Sequence, residues 1–226
     1  MYGVIFDCDG VLTESESLHF ECWKEVFFIE WGFLLPDDNT IFWGLNLKEI
    51  IKKTCDLSQK DYDKLPPETM ELLLQKKIEL FIQKAPIRLK PLPGIELFLQ
   101  TIKEHNVFCC LMSSARRTRL FSTLSILKLD FKWDLILPYE DINKSDTMVV
   151  SKNTTIVTSL TGIPQSNFIL FEDNHRIIKE GKANGIGLGI GVISSFNQYL
   201  IDRSIPDYLI DSYNSQHWND LYRNLK

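Results

Sequence analysis

The stretch VIFDCDGVLTE, residues 4–14, sets an apolar run against two aspartates and a glycine. Valine, isoleucine and phenylalanine lead into Asp7, Cys8 separates it from Asp9, and Gly10 follows. In an extended chain, residues i and i+2 project to the same face. The spacing therefore predicts that Asp7 and Asp9 crowd together at the end of a buried strand. Two unit charges about 4 Å apart near a protein surface repel by roughly 4 kcal/mol. Something must offset that repulsion.

Further strands are expected at 107–112, 135–137, 168–171 and 186–192, with the first at 3–7. These runs alternate little, as central parallel strands covered on both faces do. Helical stretches at 95–105 (after PLPG), 118–127, 154–160 and 175–183 separate them. Strand–helix alternation implies βαβ units, an α/β fold with a Rossmann-like open parallel sheet. Residues 14–89 offer no strand. They form helices at 17–31, 47–55 and 67–84, broken at LLPDDN and DLSQKDYDKLPP. A helical block of this size is no simple crossover. The expected organisation is a core of residues 1–13 and 90–226 with an inserted α-helical cap domain, 14–89.

Composition narrows the function. With 44% hydrophobic and 24% charged residues among 226, the chain can bury a sizeable core. Its net charge of −5 argues against general affinity for nucleic acid or anionic membranes, so no nucleic-acid or membrane partner is expected. The five cysteines include no C-x-x-C pair, which reads as reduced thiols. Cys8 has no nearby histidine to activate it as a nucleophile. No apolar run reaches about 18 residues and the first strand follows Met1 directly, so a cytoplasmic protein is expected. Oligomeric state leaves no mark in the sequence.

Chemistry in open parallel sheets sits beyond the carboxyl ends of the strands. There the second strand ends at Ser113-Ser114 and the fourth at Glu172-Asp173, with Lys152 in the helical stretch SKNTTIVTSL between them. Carboxylates, a hydroxyl and an ammonium make sense around a phosphate and a divalent cation. Mg2+ takes hard oxygen ligands and binds through one or two carboxylates plus substrate phosphate. An EF-hand loop is ruled out, because Gly10 is the fourth residue from Asp7, not the sixth. GIGLGIGV, 185–192, alternates without turning into a helix, so it is a closely packed strand and not a nucleotide loop.

Four pieces in order carry a family resemblance: FDCDGVLTESESLHFECW, KPLPGIELFLQTIKEHNVFCCLMSSA, SKNTTIVTSL and NFILFEDNHRIIKEGKANGIG. The chain resembles the haloacid dehalogenase superfamily, in its phosphatase and phosphomutase branch with a helical cap. That resemblance implies an Mg2+-dependent phosphatase acting on a small phosphorylated metabolite, such as a sugar phosphate. By the same resemblance, Asp7 is the nucleophile that becomes an aspartyl phosphate. Asp9 protonates the leaving oxygen and then activates water. Ser113, with Ser114 as the alternative, and Lys152, with Lys144 as the alternative, bind phosphate. Asp173 and Glu172 complete the metal site with the Asp7 carboxylate and the Asp9 carbonyl. His19 and Arg116 are candidate substrate contacts. The chain departs from the family pattern in having Asn153 after Lys152 and Ile177 where a glycine is common. A β-phosphoglucomutase-like phosphomutase is the alternative, disfavoured because WGLNLKEI offers Asn46 and Lys48 but no arginine. A non-catalytic phosphate-binding protein is the third reading. It would be marked by loss of Asp7, Asp9 or the lysine.

Overall fold

A computed structural model of the chain describes residues 1–142, 150–214 and 218–221. Two units emerge: Met1–Glu14 with Leu89–Lys226, and Ser15–Arg88.

Among the described residues of the first unit, six parallel strands form one sheet: β1 (Gly3–Phe6), β2 (Phe108–Met112), β3 (Leu135–Leu137), β4 (Phe168–Glu172), β5 (Leu188–Val192) and β6 (Tyr208–Ile210). Their spatial order is β3-β2-β1-β4-β5-β6. The chain steps outward from β1 to β3, then returns to the other side of β1 as β4. This reversal makes β1/β4 the topological switch point, where ligands bind in such sheets. The sixth strand escapes sequence reading because the turn-rich DRSIPDY runs directly into it.

Register explains why the strands lack polar alternation. Ile5 pairs with Cys110 on one side and Leu170 on the other, and all three belong to one buried cluster. The next row, Leu111–Phe6–Phe171, faces the opposite way, with Phe6 and Phe171 rings stacked 4.5 Å apart. Helices cover both faces. Helix α7 (Val150–Thr161) brings Val157 to the first cluster. Helix α4 (Ile95–Glu104) brings the Phe98 ring to 5.6 Å from Phe171 on the other face. Two further helices, α5 (Arg117–Leu127) and α8 (His175–Ala183), follow β2 and β4, and the short α6 (Tyr139–Ile142) follows β3. A Cβ on Gly189 of β5 would meet the Ile178 side chain of α8 at 2.4 Å. Gly189 thus serves close helix–strand packing, whereas a Cβ on Gly187 would meet Ser166 O at 2.1 Å and one on Gly191 the Leu209 side chain of β6 at 2.6 Å.

The second unit consists of α1 (Glu16–Trp31), α2 (Leu47–Ser58) and α3 (Thr69–Arg88). Helix α3 runs four residues beyond the expected end, through Pro86, where one helical hydrogen bond is forfeited. The unit is held by an aromatic core in which Phe27 stacks on Trp23 at 5.3 Å and meets Trp31 at 5.0 Å. Among the described residues no helix is long and apolar enough to cross a membrane.

Candidate active site

Strand β1 ends one residue earlier than expected, at Phe6. Asp7 still donates its N–H to Phe171 O at 3.0 Å, so its carboxylate leaves from the lip of the sheet. The chain then turns: Leu12 N donates to Cys8 O at 2.9 Å, and Gly10 N to Thr13 O at 2.8 Å. Asp9 therefore leaves from a turn and not from a continued strand, which corrects the simple same-face alternation. Gly10 sits at φ +71°, and a Cβ there would meet the Asp173 carboxylate at 2.3 Å. Only glycine allows both the backbone conformation and the approach of that acid. The buried Tyr213 hydroxyl donates to Val11 O at 3.1 Å, and Thr13 Oγ1 to Lys90 O at 2.7 Å, which anchors the loop.

Glu172 closes β4 and Asp173 follows it, next to β1 in the sheet. Oxygens of Asp7, Glu172 and Asp173 lie within 4.8 Å of one another. Desolvation, and then the nearby Asp9 charge, push Asp7 up to about 8. Desolvation, then Asp7 and Asp173, raise Glu172 well above the usual carboxylate range. Such crowding destabilises the ionised cluster unless a cation joins it. Three hard oxygen donors with little water around them suit a divalent ion of the Mg2+ kind.

Ser113 lies at the end of β2, 2% exposed, and its hydroxyl hydrogen-bonds Asp7 while accepting from Ala115 N at 3.2 Å. Its neighbour Ser114 is exposed. The structure thus brings Asp7, Asp9, Ser113, Glu172 and Asp173 together from three adjacent strand ends. Of Lys152 only the helical backbone is described, and Lys144 lies outside the described residues. The Arg116 guanidinium lies 4.9 Å from the ring centre of Tyr139, whose N–H donates to Ala115 O beside the Ser113 loop, and Arg117 pairs with Asp141 at 2.6 Å. His19 belongs to the helical unit, where its Nδ1 lies 2.6 Å from the Nζ of the buried Lys77. Cys8 is buried, and desolvation followed by the Asp9 and Asp7 charges raises its thiol well above normal, so it stays an inert thiol.

Sequence reading missed two residues. Arg119 donates from Nη1 to Asp9 Oδ1 at 3.0 Å and from Nη2 to Asp9 Oδ2 at 2.6 Å, a buried two-pronged pair. This supplies part of the compensation that the paired aspartates demand. The available signal was its place on α5, where it shares the buried face with Leu120, Thr123 and Leu127. A cation at an apolar position is the anomaly to look for. Asn197, fully buried, donates to Val192 O at 2.9 Å and Asp173 O at 3.2 Å and so braces the acidic loop. No sequence signal marks it, because its partners are backbone atoms.

Comparison with known proteins agrees with this architecture. The family of haloacid dehalogenase-like hydrolases matches residues 4–213. A phosphorylated carbohydrates phosphatase from Thermotoga maritima is 24% identical over 200 residues, 87% of this chain and 88% of that protein. A β-phosphoglucomutase from Clostridium difficile superposes with a TM-score of 0.79 at 19% identity, covering 100% of this chain and 97% of the other. A hydrolase from Entamoeba histolytica reaches 0.80 at 19% identity, covering 99% and 100%. At these identities the structural matches speak to fold alone.

Proposed function

The chain belongs to the haloacid dehalogenase-like hydrolases, and on that premise we propose that it is an Mg2+-dependent phosphatase acting on a small phosphomonoester. The name of its Thermotoga relative points to a phosphorylated carbohydrate as the substrate class. One observation carries the reading: Asp7, Glu172 and Asp173 converge at the switch point of the sheet with the Ser113 hydroxyl on Asp7.

In this reading Asp7, Glu172 and Asp173 hold the cation, together with the Asp9 carbonyl. When bound, Mg2+ screens the charge on the phosphoryl oxygens and on the crowded carboxylates. The Asp7 carboxylate attacks phosphorus, and the bond to the leaving oxygen breaks as Asp9 gives that oxygen a proton. Asp9 then takes a proton from the water that attacks the aspartyl phosphate, freeing inorganic phosphate and restoring Asp7. The Ser113 hydroxyl donates to a phosphoryl oxygen, and Lys152 or Lys144 neutralises its charge. The helical unit, Ser15–Arg88, corresponds to the expected inserted cap.

Hydrolysis is favoured over the mutase reaction by the fate of WGLNLKEI. Asn46 there accepts from Glu49 N at 3.1 Å while Glu49 accepts from Asn46 N at 2.8 Å, so its side chain caps α2. The test is phosphate release from a panel of sugar phosphates, nucleotides and small phosphorylated acids, with Mg2+ and with chelator. Metal-dependent release from at least one sugar phosphate is expected. No release from any ester in Mg2+ would overturn the reading. Isomer interconversion with a bisphosphate primer and no net release would replace it with the mutase.

A further inference from the structure

Arg119 is the one buried cation among the described residues of the α/β unit. Its side chain is 7% exposed and that of its partner Asp9 12%. Burying both charges carries a desolvation penalty that their attraction must offset, and apolar residues of similar size often serve stability as well. The helix face it occupies is otherwise filled by Leu120, Thr123 and Leu127, so a methionine or leucine would suit packing there. Stability alone therefore does not explain an arginine.

Its geometry does. Two parallel N–H···O contacts fix the plane of the Asp9 carboxylate as well as its distance, which one ammonium could not do. A carboxylate has about four acceptor sites, and the guanidinium takes two of them. Asp9 is anchored in a turn and not in the sheet, so its backbone alone leaves the side-chain torsions free. We propose that Arg119 is a positioning residue that clamps the Asp9 carboxylate in the orientation needed to exchange a proton with the leaving oxygen. The proposal rests on the reading of Asp9 as the acid and base of the reaction.

The test compares two probes with different leaving groups in Mg2+. Glucose 6-phosphate departs as an alkoxide that needs a proton, whereas 4-nitrophenyl phosphate departs as a stable phenolate that does not. The parameter kcat/KM reports the steps through loss of the leaving group. Arg119→Met should lower kcat/KM for glucose 6-phosphate by about 100-fold, and for 4-nitrophenyl phosphate by less than about fivefold. Arg119→Lys should fall between Arg119→Met and the parent protein. Guanidinium added to Arg119→Ala should restore turnover of the sugar phosphate selectively. Equal losses on both probes, with no rescue, would reduce Arg119 to a structural role and overturn the proposal. Asp9→Asn separates the two layers. If it discriminates between the probes and Arg119→Met does not, only the clamp is wrong. If Asp9→Asn itself fails to discriminate, the acid–base reading falls and takes the clamp with it. Should Arg119→Met not fold, by circular dichroism, the lysine variant carries the same comparison.

Discussion

In the helical unit Lys84 reaches Glu21 at 2.8 Å and Glu25 at 2.6 Å, and Arg88 meets Glu21 at 2.7 Å. In the α/β unit Arg119 meets Asp9 at the same range of distances. Geometry barely distinguishes the two sets; solvent does. The helical set keeps between 25% and 48% of its side-chain surface in water, while the Arg119–Asp9 pair keeps 7% and 12%. Exposed pairs are screened and worth roughly 0–1 kcal/mol. Buried ones pay desolvation and serve best where a fixed orientation is needed. The helical unit is held by its aromatic core with charge as trim. The α/β unit carries a destabilising cluster, which in the proposed reaction holds the metal and the nucleophile.

The sharpest way to break this contrast is Asp7→Asn. Turnover of any phosphate ester should fall by about four orders of magnitude or more, as removing a nucleophile does. The same substitution should raise the melting temperature of metal-free protein at pH 8, because one of three crowded carboxylates is gone. A lower melting temperature would mean that the cluster supports the fold.

Acidity probes the same cluster. Asp7 titrates at about 8 in the folded chain against 3.8 for a free aspartate, so the native state holds the extra proton. Stability of metal-free protein should therefore fall as pH rises from about 4 to 8, the reverse of a salt-bridged aspartate. Glu172 shifts the same way and adds to the slope. Saturating Mg2+ should flatten that decline, and so should Asp7→Asn. Thermal melts at pH 5 and pH 8, with and without metal, check the sign, and a flat metal-free profile would contradict the buried-cluster account.

Phe27→Ala tests the other half of the contrast. Its ring is fully buried among Trp23, Trp31 and Phe42, and its loss should cost about 3–5 kcal/mol by urea unfolding. Smallest of all, Lys84→Met should change stability by less than about 1 kcal/mol, and 1 M salt should remove most of the difference. A loss above about 2 kcal/mol, twice the ceiling for exposed pairs, would show that the network does more than trim.

Much of this was readable in the chain because the signals are local. Apolar strands at 3–7 and 168–171, the PLPG before α4, and the acids at strand ends follow from one-dimensional patterns. Helix existence held well, and ends shifted by a few residues, with α3 running on through Pro86 to Arg88. The arginines show where local reading stops. Arg116 and Arg117 stand just past Ser113 in sequence, yet they go to Tyr139 and Asp141, and Arg119 reaches Asp9 across 110 positions. Helical phase sets that choice: two residues along α5 turn a side chain from solvent to the interior.

By itself the sequence determined an α/β sheet, a long helical segment within it, and a D-x-D-G loop whose charges had to be compensated. Tertiary structure decided how. Strand order put β4 beside β1, so Glu172 and Asp173 came within 4.8 Å of Asp7, and the phase of α5 gave Asp9 its arginine. Like charges are visible in a sequence, but their partners are fixed by which elements pack together, and that is a property of the folded core.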